Sequence, residues 1–184
     1  MAQRRFHYEQ AFEHYLRANR APYIAVDEAK KTLLPASTTR SAVTDGGASL
    51  KSFDFVVYGA DENLLIDVKG RKCGRAKARG LATGRLDSWV TRDDVESLAE
   101  WQRLFGAGFR AVFVFAYWLD AQPPDALFQE IFHFRDKWYA LRQVDLGAYR
   151  EAMTDRSARW ETVHVPSSTF EKISEPLTIR RAAP

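Results

Sequence analysis

Three charged residues stand where apolar ones would be expected. Asp54 lies in Phe53-Asp54-Phe55-Val56-Val57-Tyr58, and Asp67 and Lys69 lie in Leu64-Leu65-Ile66-Asp67-Val68-Lys69. Both stretches are rich in β-branched and aromatic residues, as strands are. Residues two apart in a strand share a face, so Asp67 and Lys69 project together while Leu64, Ile66 and Val68 project the other way. The turn Gly59-Ala60-Asp61-Glu62 joins the stretches into a hairpin. If Tyr58 pairs with Asn63, Asp54 falls opposite Asp67 and two carboxylates meet on one face. A slip of one residue would separate them. Like charges so placed repel, and a divalent cation removes the conflict; hard oxygen ligands suit Mg²⁺ or Mn²⁺ better than zinc.

A third acid can come from the first helix, predicted over Arg5 to Asn19, with Tyr8, Ala11, Phe12, Tyr15 and Leu16 on its buried side. At roughly 100° per residue, Glu9 lies beside that stripe and Glu13 farther towards solvent, so Glu9 is favoured and Glu13 is its substitute. From Lys69 to Arg85 the chain carries Lys69, Arg71, Lys72, Arg75, Lys77, Arg79 and Arg85 with no acid, interleaved with glycines. This reads as a cationic loop suited to a phosphate backbone.

The elements that must position these groups follow from periodicity and turn residues. A short strand is expected at Tyr23 to Val26, a helical turn at Glu28 to Leu34 and a polar segment at Ser37 to Ser49. Beyond the basic stretch, Thr91 and Asp94 have N-cap spacing. Val95, Leu98, Trp101 and Leu104 to Phe105 give a second helix its buried face, and Gly106 and Gly108 stop it. Arg110 to Trp118 reads as a central strand. After Pro123-Pro124, a hairpin is expected from Phe132 to Leu141 with Arg135-Asp136-Lys137 at its turn, then a short helix at Asp145 to Met153 and a last strand at Glu161 to Val165. The order α, β, β, β, α, β with extra C-terminal strands implies an α/β (α+β) fold, a mixed central sheet flanked by helices.

With 184 residues, 46% of them hydrophobic and 13% aromatic, the chain is expected to form a single domain, 1–184, with a core over about 5–120 and a C-terminal elaboration over about 121–184. Its net charge of +3 excludes no class of soluble protein. The longest apolar run, Ala111 to Leu119, is too short to span a membrane, and the N-terminus reads as an amphipathic helix, not a secretory signal. One cysteine, Cys73, allows no intrachain disulfide, so a cytoplasmic location is expected. The four histidines, His7, His14, His133 and His164, lack metal-ligand spacing. No G-x-S-x-G elbow or nucleotide-cradling loop is present. The aromatics Trp101, Phe113, Phe115, Tyr117 and Trp118 read as core, and Trp89, beside the basic stretch, has no obvious assignment.

A helix with Glu9, a strand with Asp54, the tripeptide Asp67-Val68-Lys69 and a helix with Gln102 together resemble the PD-(D/E)XK nuclease superfamily, over Tyr8 to Trp118. Thr91-Arg92-Asp93-Asp94 through Leu98, Trp101, Arg103, Phe105 and Gly106 is most similar to its archaeal Holliday junction resolvase-like members. Phe53 stands where the eponymous proline would be, and the region after Pro124 has no evident counterpart. The resemblance implies a restriction-endonuclease-like αβββαβ core and metal-dependent hydrolysis of DNA, structured or branched DNA included. It implies that Asp54, Asp67 and the Val68 carbonyl hold the metal, with Glu9 as a direct or water-mediated ligand. Lys69 would orient or deprotonate the attacking water and balance charge on the phosphorane, and Gln102 would support the site. DNA is the implied partner, and a homodimer is what symmetric junction cleavage requires. The competing readings are a nucleic-acid-binding protein of the same fold that does not cleave, and a structural domain with a buried Asp-Lys pair.

Overall fold

A computed structural model of the chain describes residues 3–26, 50–73, 86–119, 131–177 and 179. The segments expected at Glu28 to Leu34, at Ser37 to Ser49 and around Pro123-Pro124 lie outside these residues, as do Arg75, Lys77, Arg79 and Arg85 of the basic stretch.

Helix α1 (Gln3–Ala18) buries Ala11, Phe12, Tyr15 and Leu16, the stripe its spacing predicts. Strands β1 (Tyr23–Ala25), β2 (Phe55–Tyr58) and β3 (Asn63–Cys73) follow. Helix α2 (Arg92–Phe105), preceded by the two-residue strand β4 (Val90–Thr91), carries the chain across to β5 (Phe109–Leu119), which pairs with β3 in parallel. A parallel pair needs such a crossover, and a helix is its usual form. The main sheet has seven strands. It runs β1-β2-β3-β5-β7-β10, with β6 (Ile131–Phe134) also paired to β7 (Lys137–Asp145) and β10 spanning Ser174–Pro176. A three-stranded sheet joins β4 to β9 (Thr162–His164) and β8 (Thr154–Ser157).

The main sheet is covered on both faces, and alternation along β3 and β5 assigns each residue to one. Leu64, Ile66, Val68, Val112, Val114 and Ala116 pack with Phe12, Tyr15 and Leu16 of α1. Leu65, Ala111, Phe113, Phe115 and Tyr117 pack with Val95, Leu98 and Trp101 of α2 and with Tyr149 of helix α3 (Leu146–Ala152). Burial on both faces explains why β5 reads as a continuous apolar run. Among the described residues no helix is long and apolar enough to cross a membrane.

The hairpin register is the predicted one: Tyr58 pairs with Asn63 and Phe55 with Ile66. The predicted central strand and the start and stop of α2 are also observed, with Thr91 as N-cap and Gly106 closing the last turn at φ 75°. Several expectations need correction. Lys69 to Cys73 is not loop but the second half of β3. The β6–β7 turn is Arg135-Asp136 alone, both residues at positive φ (47° and 59°), and Lys137 already opens β7. Two such residues turn the chain with the twist that paired strands need. The strand near His164 is not the last element, because helix α4 (Ser167–Ile173) and β10 follow. Strands β4, β8 and β10 have two to four residues and no apolar alternation, so periodicity had nothing to detect.

Candidate active site

β2 begins at Phe55, so Asp54 sits in a bend just before it, with its N–H donating to the Ile66 carbonyl at 2.9 Å. From Asp67 onward β3 has no β2 partner. The Asp54 side chain takes up the vacated edge: its Oδ2 accepts the Val68 N–H at 2.6 Å. The N–H and C=O of one strand residue point to the same edge, which places the Val68 carbonyl on the Asp54 side. The Asp54 and Asp67 carboxyls also act on each other across this edge. The two carboxylates therefore meet as the register predicts, through a bend at the sheet edge and not as an in-strand pair.

Their electrostatics are strained. Burial pushes the Asp54 carboxyl well above the usual range, and the charges of Asp67 and Glu9 push it further. Burial also raises Asp67, although the Lys69 ammonium opposes this. The charge of Glu9 thus acts on Asp54 from α1, while that of Asp67 acts on it from the neighbouring strand. Gly70 permits the approach of α1, since a Cβ there would come within 2.0 Å of the Tyr8 ring. Glu13, the substitute acid, is engaged elsewhere: it accepts from Arg17 and from the Tyr23 hydroxyl, each at 2.7 Å.

Lys69 is held between two acids. Its Nζ lies 2.7 Å from Asp67 Oδ2 and 3.1 Å from Asp94 Oδ2. Burial alone would lower the lysine, but Asp67 and Asp94 outweigh it and raise its pKa. It is an ammonium, the form suited to orienting and charge balance and not to taking a proton.

Asp94 and Lys51 belong to this site and were not among the residues singled out for it. Asp94 forms a capping box with Thr91: the Asp94 N–H donates to Thr91 Oγ1 at 3.1 Å, and the Thr91 N–H donates to Asp94 Oδ2 at 2.9 Å. Its other oxygen accepts from Lys51 Nζ at 2.7 Å. Burial would raise Asp94, but Lys69, Lys51 and the Thr91 N–H hold it far below the usual carboxylate range. Lys51 is fixed in turn by α2, its N–H donating to Ser97 Oγ at 3.1 Å and its carbonyl accepting from Trp101 Nε1 at 2.8 Å. The T-x-x-D spacing marks the cap; nothing in it marks the reach to Lys69.

Gln102 has a different use from the one expected. Its amide oxygen accepts the Ala111 N–H at 2.7 Å, tying the end of α2 to the start of β5 about two helical turns beyond Asp94. Arg71 likewise departs from the expected surface role. Its guanidinium stacks on Trp89 at 4.2 Å, donates to the Gly70 carbonyl at 2.7 Å and to the Trp89 carbonyl, and burial lowers its pKa. Lys72 is exposed, its ammonium 4.7 Å above the Trp118 ring. Among the described residues no three His, Cys, Asp or Glu side chains gather closely enough to cage a metal. The donor set that fits a hard cation is two carboxylates that repel each other together with a backbone carbonyl on the same edge. Such a set suits Mg²⁺, which keeps several of its waters.

No family model matches the chain, and no curated protein matches it. Among solved structures it is similar to Hjc, a Holliday junction resolvase of the archaeal hyperthermophile Archaeoglobus fulgidus, with a TM-score of 0.51 and 16% sequence identity. The similarity covers 93% of this chain and 94% of that one. The α+β architecture is thus similar to the fold of Hjc. At that coverage the likeness runs past Trp118 into the C-terminal strands, for which the sequence alone offered no counterpart.

Proposed function

We propose that the chain, acting as one nuclease domain over 1–184, is a divalent-metal-dependent nuclease that hydrolyses phosphodiester bonds in DNA. The observation that carries this reading is the meeting of Asp54 and Asp67 at the β3 edge with Lys69 pinned beside them. The likeness in fold to Hjc makes branched or otherwise structured DNA the first substrate class to try, and symmetric incision of a four-way junction would take a homodimer.

Asp54, Asp67 and the Val68 carbonyl would hold Mg²⁺ or Mn²⁺, with Glu9 contributing directly or through a water. A cation bound there would acidify a water and draw negative charge from the phosphate oxygens. The Lys69 ammonium, oriented by Asp67 and Asp94, would donate to a phosphate oxygen or to the attacking water and stabilise charge that develops as one ester oxygen leaves. The basic residues Lys72, Arg75, Lys77, Arg79 and Arg85 would contact the backbone. A cytoplasmic site of action fits a chain whose one cysteine, Cys73, is a buried thiol outside any disulfide.

The test is to incubate the protein and Lys69→Ala with labelled linear, branched and single-stranded DNA in Mg²⁺, Mn²⁺ or EDTA. Cleavage that requires both metal and Lys69 is the expected result. Salt-sensitive binding with no cleavage in any metal would favour the non-cleaving nucleic-acid-binding reading instead.

A further inference from the structure

A cavity of about 530 Å³ opens between residues 86–88, β8, β9 and the start of α4. Arg156, His164, Ser167, Ser168 and Asp87 supply its polar lining, and Leu86, Val165 and Pro166 its apolar walls. We propose that this cavity is a nucleotide subsite, binding the phosphate of a nucleotide that neighbours the scissile phosphodiester; the proposal rests on the nuclease reading.

Three observations converge on an anion. Arg156 is exposed and makes no ion pair among the described residues; its guanidinium lies 5.2 Å from the centroid of Trp89, whose ring also carries Arg71 at 4.2 Å. Two like charges are thus gathered about one indole, and Arg156 repels Arg71. Asp87, an acid on the same cavity wall, acts on Arg71. His164 Nδ1 is buried with no hydrogen-bond partner among the described residues, an arrangement that costs free energy unless a ligand or water completes it. The hydroxyls of Ser167 and Ser168 add donors on the same wall.

Place and size suit one nucleotide. The cavity's Asp87 carbonyl accepts from the Tyr117 hydroxyl at 3.2 Å, and Tyr117 is the β5 partner of Arg71. Arg71 follows Lys69 by two residues on the same strand face, roughly 7 Å along β3. On the nuclease reading, a strand whose scissile phosphate sits at Lys69 would run on toward Arg71 and the Trp89 ring, which Arg156 also faces. The volume lies in the range that encloses small ligands, so sugar or base can lean on Pro166 and Leu86 while the phosphate meets the guanidinium.

The experiment measures binding of labelled single-stranded oligonucleotides in EDTA across a series of salt concentrations, for wild type, Arg156→Ala and Arg156→Lys. Arg156 is exposed on a short strand, so both variants should fold, which circular dichroism would check. Arg156→Ala is expected to lose about tenfold in affinity and to flatten the salt slope by about one, with Arg156→Lys recovering the slope because it keeps the charge. Loss of a merely structural contact would leave the slope unchanged. Equal losses on 5′-phosphorylated and 5′-hydroxyl oligonucleotides would assign the site to an internal phosphodiester; a loss confined to the phosphorylated one would assign it to a terminal phosphate. Wild-type affinity and slope in Arg156→Ala would overturn the subsite and leave the nuclease reading standing. No binding of DNA by wild type would overturn both.

Discussion

Asp94 Oδ2 lies 3.1 Å from Lys69 Nζ while the same carboxylate accepts the Thr91 N–H at 2.9 Å. One side chain thus starts a helix and holds the lysine proposed to act on phosphate.

This double duty separates two substitutions. Asp94→Asn keeps an oxygen for the Thr91 N–H but loses the charge beside Lys69, whereas Asp94→Ala loses both. Asp94→Ala should cost about 3 kcal/mol, in the range for breaking a buried ion pair together with a cap, and Asp94→Asn distinctly less. Both should lower the cleavage rate. Urea unfolding and single-turnover cleavage measure the two effects; equal stability losses for the two variants would refute the division.

Asp54 and Asp67 destabilise each other when no cation lies between them. In EDTA, Asp54→Asn should stabilise the chain by about 1 kcal/mol, a rise in Tm of roughly 2–4 °C, since the amide can still accept from Val68 and the repulsion is gone. In wild type, Mg²⁺ or Mn²⁺ should raise Tm in a concentration-dependent way. That rise should vanish in Asp54→Asn, and scanning calorimetry with and without metal shows whether it does.

The acids tilt stability with pH in opposite senses. Asp54 and Asp67 have folded pKa values above their unfolded ones. Their contribution is therefore fully present below about pH 4 and is lost as pH rises through the raised folded values. Asp94 has a lowered folded value, so its contribution is present above about pH 4 and is lost as pH falls through that value. Urea midpoints measured in EDTA from about pH 3 to about pH 8 should show a flatter upper limb in Asp54→Asn and a flatter acid limb in Asp94→Asn. A wild-type profile in both variants would contradict the assignment.

Glu9 and Glu13 stand one helical turn apart on α1 with different partners. Glu9→Gln should weaken divalent-metal affinity several-fold, because its charge acts on Asp54. Glu13→Gln should leave affinity unchanged, because Glu13 bonds Arg17 and Tyr23. Isothermal titration with Mn²⁺ distinguishes the two; a loss of affinity in Glu13→Gln would show that the helix ligand had been misassigned.

Gly70→Ala places a Cβ 2.0 Å from the Tyr8 ring. The expected cost is 1–3 kcal/mol, roughly that of overpacking, and Tyr8→Ala should recover part of it in the double variant. Denaturant midpoints of the single and double variants complete the cycle.

The sequence showed the hairpin register because Tyr58 and Asn63 flank a turn of definite length and a slip would have turned Asp54 to the wrong face. It also showed α1 and α2, whose stripes have the right period. It could not show that β2 begins only at Phe55 and leaves the Val68 N–H for Asp54. Lys51 and Asp94 were invisible as a pair, since their contact depends on how α2 sits against the segment before β2, and no local spacing encodes that. The basic stretch misled for a physical reason: charge counts do not distinguish Lys72, which faces solvent, from Arg71, which is spent on Trp89. Gln102 misled because a polar residue on the right helix can as well hold a neighbouring strand.

The contact of Tyr8 with Gly70 acts as a depth gauge. The sheet offers a bare backbone at that point, so the distance from Glu9 to the β3 edge is fixed by the thickness of one aromatic ring. Discrimination between small and large divalent ions depends on how far apart the oxygens stand and how little they yield. On the nuclease reading, ionic preference is then set partly by a residue that touches no ion, and a change of ring at position 8 would retune it with every ligand intact.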